Sequence, residues 1–241
     1  MRIDGRANDE LRTIKIEPNY IIHPDGSCLV EFGLTRVICS AKFEDRVPPF
    51  LKGSGEGWIT AEYGMLPSST LERTVRESTK GRPSGRSLEI QRLIGRSLRC
   101  VVDTRCFPDK TLWVDCDVIQ ADGGTRCASI TGAYVAMGLA FNNLLKRGVI
   151  KDNPIKSRVS AVSVGILNGE KILDLKYEED SKAEVDMNVV MTGDGRYVEV
   201  QGTAEQKPFN KKDLDELLYL AARGIDKIIE AQKEVVRFDF D

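Results

Sequence analysis

The sequence predicts an α+β fold in which β-hairpins followed by a long helix occur twice, giving mixed sheets packed with helices. Three observations carry this reading. Short apolar runs of strand character alternate with two helix-length stretches, residues 128–147 and 211 onward. Asn168-Gly169 stands between two alternating runs, a strong two-residue hairpin signal. The order of elements after residue 150 repeats the order before it, so one domain over 1–241 is expected, with internal repeats at about 1–150 and 151–241.

In chain order, residues 28–32 and 36–43 read as two strands around Gly33. Residues 44–57 hold two prolines and four charged residues before Gly53, which predicts an exposed loop. Residues 74–86 are polar and contain glycine, and read as a mobile loop. A helix follows, with Leu88, Leu93, Ile94, Leu98 and Val101 near one face. Residues 112–119 form a strand, and the helix 128–147 completes the first half. Residues 159–167 and 171–177 flank Asn168-Gly169, and 187–191 and 197–200 flank Gly193-Asp194-Gly195 as a second hairpin. The last helix is capped by Asn210 with Asp213 three residues on, and presents Leu214, Leu217, Leu218, Ala221, Ile225, Ile228 and Ile229. Residues 238–241 are expected to fray.

Hydrophobic residues at 41% and charged residues at 30% suit a soluble globular chain. No apolar run nears the roughly 18 residues that span a bilayer, and the opening residues hold no apolar signal region. A cytoplasmic protein without a membrane partner is expected. Six cysteines form no C-x-x-C pair, and the single histidine, His23, offers little to a zinc site. The cysteines are read as small buried apolar residues in a reducing compartment. The net charge of −2 hides an asymmetry. Eight basic residues between Arg73 and Arg99 face only Glu77 and Glu89 there, which makes either a polyanion surface or a solvated helix face.

The most informative segment is Ala121-Asp122-Gly123-Gly124-Thr125-Arg126, at a strand-to-helix turn. A helix N-terminus presents unpaired N–H groups and a partial positive charge, and so binds anions. Gly123 and Gly124 let the backbone approach a ligand, while Thr125 adds a hydroxyl and Arg126 a fork suited to phosphate oxygens. The same residues also suit a plain tight turn with Thr125 as the helix cap. Arg86, in Ser-Gly-Arg-Ser-Leu-Glu-Ile-Gln-Arg, again precedes an apolar periodic run. Asp180 and Asp186, six apart in a loop leading into a strand, can hold a hard cation with waters and substrate phosphate. Ser181 and Glu184 imitate a helix capping box, but no helix-length amphipathic run follows. Asp115 and Asp117 share a strand face and are read as structural.

These segments, together with Arg2-Ile-Asp-Gly-Arg-Ala-Asn-Asp-Glu-Leu-Arg12, Ile59-Thr-Ala-Glu-Tyr-Gly-Met-Leu-Pro67, Tyr177-Glu-Glu-Asp-Ser-Lys-Ala-Glu-Val-Asp-Met-Asn188 and Val198-Glu-Val-Gln-Gly-Thr-Ala204, resemble the bacterial ribonuclease PH family from about residue 1 to 235. The resemblance implies a duplicated β-α-β-α fold of the type of ribosomal protein S5 domain 2, with four-stranded sheets. It implies a phosphate-dependent 3′-5′ exoribonuclease, a tRNA nucleotidyltransferase that trims tRNA precursors. Residues matching Arg86, Gly124, Thr125 and Arg126 bind the phosphate co-substrate in that family, and Asp180 and Asp186 match its catalytic aspartates, with Mg²⁺ (or Mn²⁺) as the metal. It also implies a homohexameric ring, a trimer of dimers. Arg73, Arg76, Arg92 and Arg99 then contact RNA or a neighbouring subunit. Two departures stand out: Ser68 lies where the family often has a basic residue, and Cys127 where threonine is common. Two rival readings are a catalytic ring subunit of an archaeal-type exosome, for which alanine is expected in place of Gly123, and a non-catalytic RNA-binding ring subunit, which should have lost an arginine or aspartate of the site.

Overall fold

The computed structural model describes residues 2–238. Strands β1 (Ile14–Pro18), β2 (Gly26–Phe32), β3 (Thr35–Glu44), β4 (Trp58–Met65) and β5 (Thr111–Gln120) form a first sheet in the order β1-β2-β3-β5-β4. All its pairs are antiparallel except β4 with β5. A parallel pair needs a crossover, and helix α2 (Gly85–Arg99), preceded by the single turn α1 (Glu77–Lys80), supplies it. Helix α3 (Thr125–Lys146) follows β5.

The second sheet runs β7-β6-β8-β9, all antiparallel, from β6 (Val159–Leu167), β7 (Glu170–Leu173), β8 (Val185–Thr192) and β9 (Tyr197–Ala204). The short helix α4 (Tyr177–Asp180) interrupts it, and α5 (Lys211–Val235) closes the half. Asn168 and Gly169 sit at φ 51° and 78°, the positive values that a two-residue hairpin turn of this kind needs. The capping box of Asn210 and Asp213 forms as expected.

The two halves share one core. α3 packs on β2, β3 and β5 and also on β6, and is buried almost all round. A helix apolar on every side belongs inside a molecule. Its C-terminal half stacks Phe141 against Phe107 and Phe43, with ring centroids 5.4 and 5.6 Å away. No helix among the described residues is long and apolar enough to cross a membrane.

Several expectations are corrected. The first sheet has five strands rather than four, because β1 adds an edge to β2. Leu88 is exposed, and Ile90 takes the core position, since Ile90, Leu93, Ile94, Ser97, Leu98 and Val101 make the true i, i+3, i+4 stripe. The polar stretch 74–86 is not all loop: it contains α1, and α2 already begins at Gly85, with Ser84 as its cap. Asp180 ends a helix instead of lying in a loop. Four cysteines are buried, but Cys100 is exposed and Cys106 only partly covered. Phe238 does not fray. It is 8% exposed, meets the Tyr134 ring edge-on at 6.3 Å, and lies under the Arg158 guanidinium at 5.4 Å. Residues 239–241 lie outside the described residues.

Candidate active site

α2 and α3 begin beside each other. Their first turns open on one pocket, lined by Arg86, Gly124, Thr125, Arg126, Ser163, Asp180, Asp186 and Asn188. All six residues predicted from phosphate and carboxylate chemistry therefore meet in one place. Arg86 is the second residue of α2, where the sequence reading placed it just before the helix, and it alone of that helix lines the pocket; the Ser84 side chain caps the helix start. α3 starts after Gly124 with no side-chain cap, leaving its first N–H groups available to an anion. Thr125 is not the cap: its hydroxyl lies 2.9 Å from the Tyr63 hydroxyl.

The loop into α3 is confined by its surroundings. Gly123 and Gly124 hold φ of +75° and +66°. A Cβ on Gly123 would sit 2.7 Å from the Leu175 carbonyl oxygen, and one on Gly124 would sit 2.9 Å from Arg12 Nη2. Both positions therefore need glycine for conformation and for space.

Arg126 donates through Nη1 to Gln201 Oε1 on β9 and to Glu89 Oε1 at 3.5 Å, while Gln201 Nε2 donates to Glu89 at 3.2 Å. Arg86 makes no hydrogen bond or ion pair with another described residue, so its guanidinium is available to a ligand. Opposite them, neither Asp180 nor Asp186 accepts a hydrogen bond from a described side chain. Burial pushes the Asp180 carboxyl above its usual range, with Arg86 and Arg126 pulling it back. Burial, then the nearby Asp180, push Asp186 up to about 6. Two desolvated, like-charged acids of this kind call for a cation.

The donor set fits a hard divalent ion. No group of three or more His, Cys, Asp or Glu suited to a metal exists among the described residues. Mg²⁺ needs only one or two carboxylates, because it keeps waters and takes substrate phosphate oxygens. Ser163 adds a hard hydroxyl oxygen, which accepts from the Leu175 N–H at 3.0 Å. Asn188 is oriented by Cys127, whose thiol donates to Asn188 Oδ1 at 3.3 Å. Burial drives that thiol's pKa far up, so it stays a donor. A threonine hydroxyl can donate in the same way, which makes the Cys127 departure mild.

The other predicted residues lie outside this pocket. Arg73 and Arg76 are exposed ahead of α1, and Arg92 is exposed on α2. Arg99 is committed within the chain: its Nη1 donates to the Ile59 carbonyl at 2.7 Å, and the group lies 4.4 Å over the Trp58 ring. Trp58 and Trp113 share a groove with Pro48, Pro49 and Thr60, and Phe50 meets Trp58 edge-on at 5.3 Å. Asp115 and Asp117 alternate with the buried Val114, Cys116 and Val118, so they face away from α3, beside Glu62. Burial raises both carboxyls, and Glu62 adds to the effect at Asp115. Ser68 is exposed. Sequence reasoning missed Tyr63, Glu89, Ser163, Asn188 and Gln201; all but Ser163 lie in segments it had singled out without giving them a role in the site.

Residues 10–140 match the model of the 3′ exoribonuclease family, domain 1, and residues 157–224 match domain 2. Ribonuclease PH of Bacillus subtilis (strain 168) is 60% identical over 237 residues, covering 98% of this chain and 97% of that protein. Ribonuclease PH of Bacillus pumilus (strain SAFR-032) is 61% identical over 236 residues, covering 98% of each. Among solved structures, an Archaeoglobus fulgidus exosome with RNA bound to the active site superposes with a TM-score of 0.77 at 26% identity, covering 95% of this chain and 91% of that one. An archaeal exosome core superposes with a TM-score of 0.76 at 24% identity, covering 96% and 91%, a likeness of fold alone. With both family domains matched in order and identity near 60% along the whole length, the chain belongs to the ribonuclease PH family of 3′ exoribonucleases.

Proposed function

We propose that the pocket is the phosphorolytic centre of an exoribonuclease that shortens RNA from its 3′ end and trims tRNA precursors. One observation carries the assignment: the uncapped start of α3 with Thr125 and Arg126, and Arg86 from α2, line a single pocket with the paired acids Asp180 and Asp186. Identity near 60% to bacterial ribonuclease PH, against 26% to the exosome chain, favours the bacterial enzyme over an exosome subunit. Every arginine and aspartate of the site is present, which speaks against a non-catalytic ring subunit.

In this reading Arg86, Thr125, Arg126 and the N–H groups at the start of α3 hold inorganic phosphate. A phosphate oxygen attacks the last phosphodiester phosphorus, and the bond to the preceding O3′ breaks. The products are a nucleoside diphosphate and an RNA one nucleotide shorter. The attacking phosphate carries a proton that the leaving O3′ can take up, so no strong base is required. That suits a chain whose one histidine, His23, is exposed and outside the pocket. Asp180 and Asp186 would hold Mg²⁺, or Mn²⁺, whose charge neutralises the phosphates that meet here. Catalysis then rests on positioning and electrostatics.

The exposed Arg73 and Arg76, ahead of α1, and the exposed Arg92, on α2 with Arg99, suit RNA backbone or a neighbouring subunit. The assembly we propose is a homohexamer, a trimer of dimers, at six times the 26.8 kDa chain, in the cytoplasm. We further read 1–150 and 151–241 as repeats within one domain, supported by the core they share.

The test is a short single-stranded RNA with a free 3′ end. Without phosphate it stays intact. With phosphate it yields nucleoside diphosphates, and excess diphosphate extends it. Nucleoside monophosphates as the only product at every phosphate concentration would overturn the proposal.

A further inference from the structure

Three arginines within eleven residues at a chain start usually make a solvated segment. Here they do not. Arg2 and Arg12 are 7% and 6% exposed, and their partners Glu179 and Asp174 are 0% and 1% exposed. Buried charges are costly unless paired and hydrogen-bonded, and even well-paired ones seldom add net stability. What such pairs fix is position, and the positions fixed here belong to the pocket.

We propose that the segment 2–12 is a positioning clamp for the site, in which Arg12 with Asp174 sets the phosphate loop and Arg2 with Glu179 sets the helix carrying Asp180. The proposal rests on the phosphorolytic reading above. Arg12 spans Asp174 with Nε at 3.0 Å and Nη2 at 2.7 Å, and its own N–H donates to the same carboxylate at 2.8 Å. Its Nη1 donates to the Asp122 carbonyl at 2.5 Å and to the Gly123 carbonyl at 3.4 Å. The guanidinium thus lies directly against the loop that opens α3. Asp174 holds a φ of +55°, a strained value for a non-glycine residue that its surroundings must enforce.

Arg2 grips Glu179 in a bidentate pair, Nε to Oε1 at 2.7 Å and Nη2 to Oε2 at 2.6 Å. Its Nη1 donates to the Leu173 carbonyl at 2.7 Å and its Nη2 to the Asp174 carbonyl at 2.9 Å. Glu179 Oε2 also accepts from the Lys176 N–H at 3.1 Å, which closes the start of α4, and the next residue is Asp180. Arg6 lies between the two pairs, 3.6 Å from Asp174 and 3.5 Å from Glu179. The two clamped units touch each other where Gly123 meets the backbone of 175–177. A guanidinium fork is what ties each pair in register, so lysine is not an equivalent.

The experiment uses the full chain with Arg12→Lys, Arg2→Lys and Glu179→Gln. Three readouts are taken: KM and kcat for phosphate, Mn²⁺ affinity by electron paramagnetic resonance without RNA, and Tm. Arg12→Lys should raise the phosphate KM about tenfold and leave Mn²⁺ affinity near wild type, the size of effect seen for residues that orient a binding group. Arg2→Lys and Glu179→Gln should weaken Mn²⁺ about tenfold and move the phosphate KM much less. If Arg2→Lys does not fold, Glu179→Gln reads the same arm. Lowered Tm with phosphate KM and Mn²⁺ affinity both unmoved would overturn the clamp, and so would equal losses of both affinities in every variant. Wild type assayed alongside separates the two levels. Absence of phosphate dependence there removes the phosphorolytic reading itself, whereas normal wild-type dependence with unmoved variants removes only the clamp.

Discussion

The two walls of the pocket come from different halves of the chain and meet their electrostatic needs differently. The wall from the first half uses a helix start, two glycines and arginines. Arg86 is exposed there, and Arg126 is already paired with Gln201 and Glu89. Its positive charge stays solvated or matched, so it costs little while the pocket is empty. The wall from the second half places Asp180 and Asp186 together, partly desolvated and without donors, and both carboxyls are pushed upward. The difference teaches that the stability cost of this site sits on the acidic wall, and that the substrate and its cation relieve it.

The sharpest way to break this comparison is to neutralise the acids. Asp180→Asn and Asp186→Asn should each cut turnover by at least about a hundredfold, as loss of a central electrostatic group does. The same variants should stand up better to unfolding in chelator. For Asp186→Asn the gain should be roughly 1–3 kcal/mol, because the shift to about 6 measures the cost of ionising the group in place. Turnover assays and denaturant titrations at neutral pH read the two effects. Loss of activity together with loss of stability would contradict the contrast.

Neutralising the other wall should do less. Arg86→Ala and Arg126→Ala each remove charge-assisted bonds to phosphate, so KM for phosphate should rise at least about tenfold. Added phosphate should restore part of the rate. Gln201→Ala removes one of the two acceptors that hold Arg126 and leaves Glu89, and a few-fold rise is expected, of the size of one lost hydrogen bond. Steady-state kinetics over a phosphate series distinguishes the three.

A pH series sharpens the comparison further. Asp186 has its folded pKa raised from 3.8 to about 6, so the folded state binds more protons than the unfolded chain in that window. Its contribution to stability is complete below the window and is lost as pH rises through it. Glu179 acts with the opposite sign. Although burial opposes it, the Arg2 hydrogen bonds carry its carboxyl below 4.5, so its stabilisation is present above that value and fades as pH falls. Chelated protein should therefore lose stability between pH 4 and pH 6 through Asp186, and Asp186→Asn should flatten that slope. Thermal unfolding across pH 4–7 measures it.

The smallest effect is expected from Asp115→Asn and Asp117→Asn. Their carboxyls are also raised by burial, yet they face away from α3 and outside the pocket. Turnover should stay within roughly twofold, as for substitutions remote from the chemistry. A large loss would mean that a raised carboxyl alone, wherever it lies, serves the reaction.

Local signals made much of this architecture readable in advance. Gly123 to Arg126 sit at a strand-to-helix turn whose chemistry is written in consecutive residues, and Asn168-Gly169 closes its hairpin by backbone rules alone. The boundary of α2 was harder, because Gly85 and Pro83 look like loop residues, so Arg86 seemed to stand outside the helix. Leu88 was misplaced although its neighbours at i+3 and i+4, Gln91 and Arg92, are polar and argue against a core position. β1 is five residues at an edge, three exposed and two half-buried, too short to declare itself. The supports of the site were illegible for another reason. Arg12 meets Asp174, and Arg126 meets Gln201, across 162 and 75 residues of chain. No periodicity or motif in either segment encodes such a partner.

The groove beneath Arg99 has a practical consequence. Both tryptophans of the chain, Trp58 and Trp113, lie in it, and neither lines the pocket. The protein thus carries an intrinsic optical reporter of one outer face. Its emission should ignore phosphate and change when a neighbouring subunit or an RNA strand covers the surface around Arg99. The dependence of that signal on protein concentration, or on RNA, then tells which of the two does so.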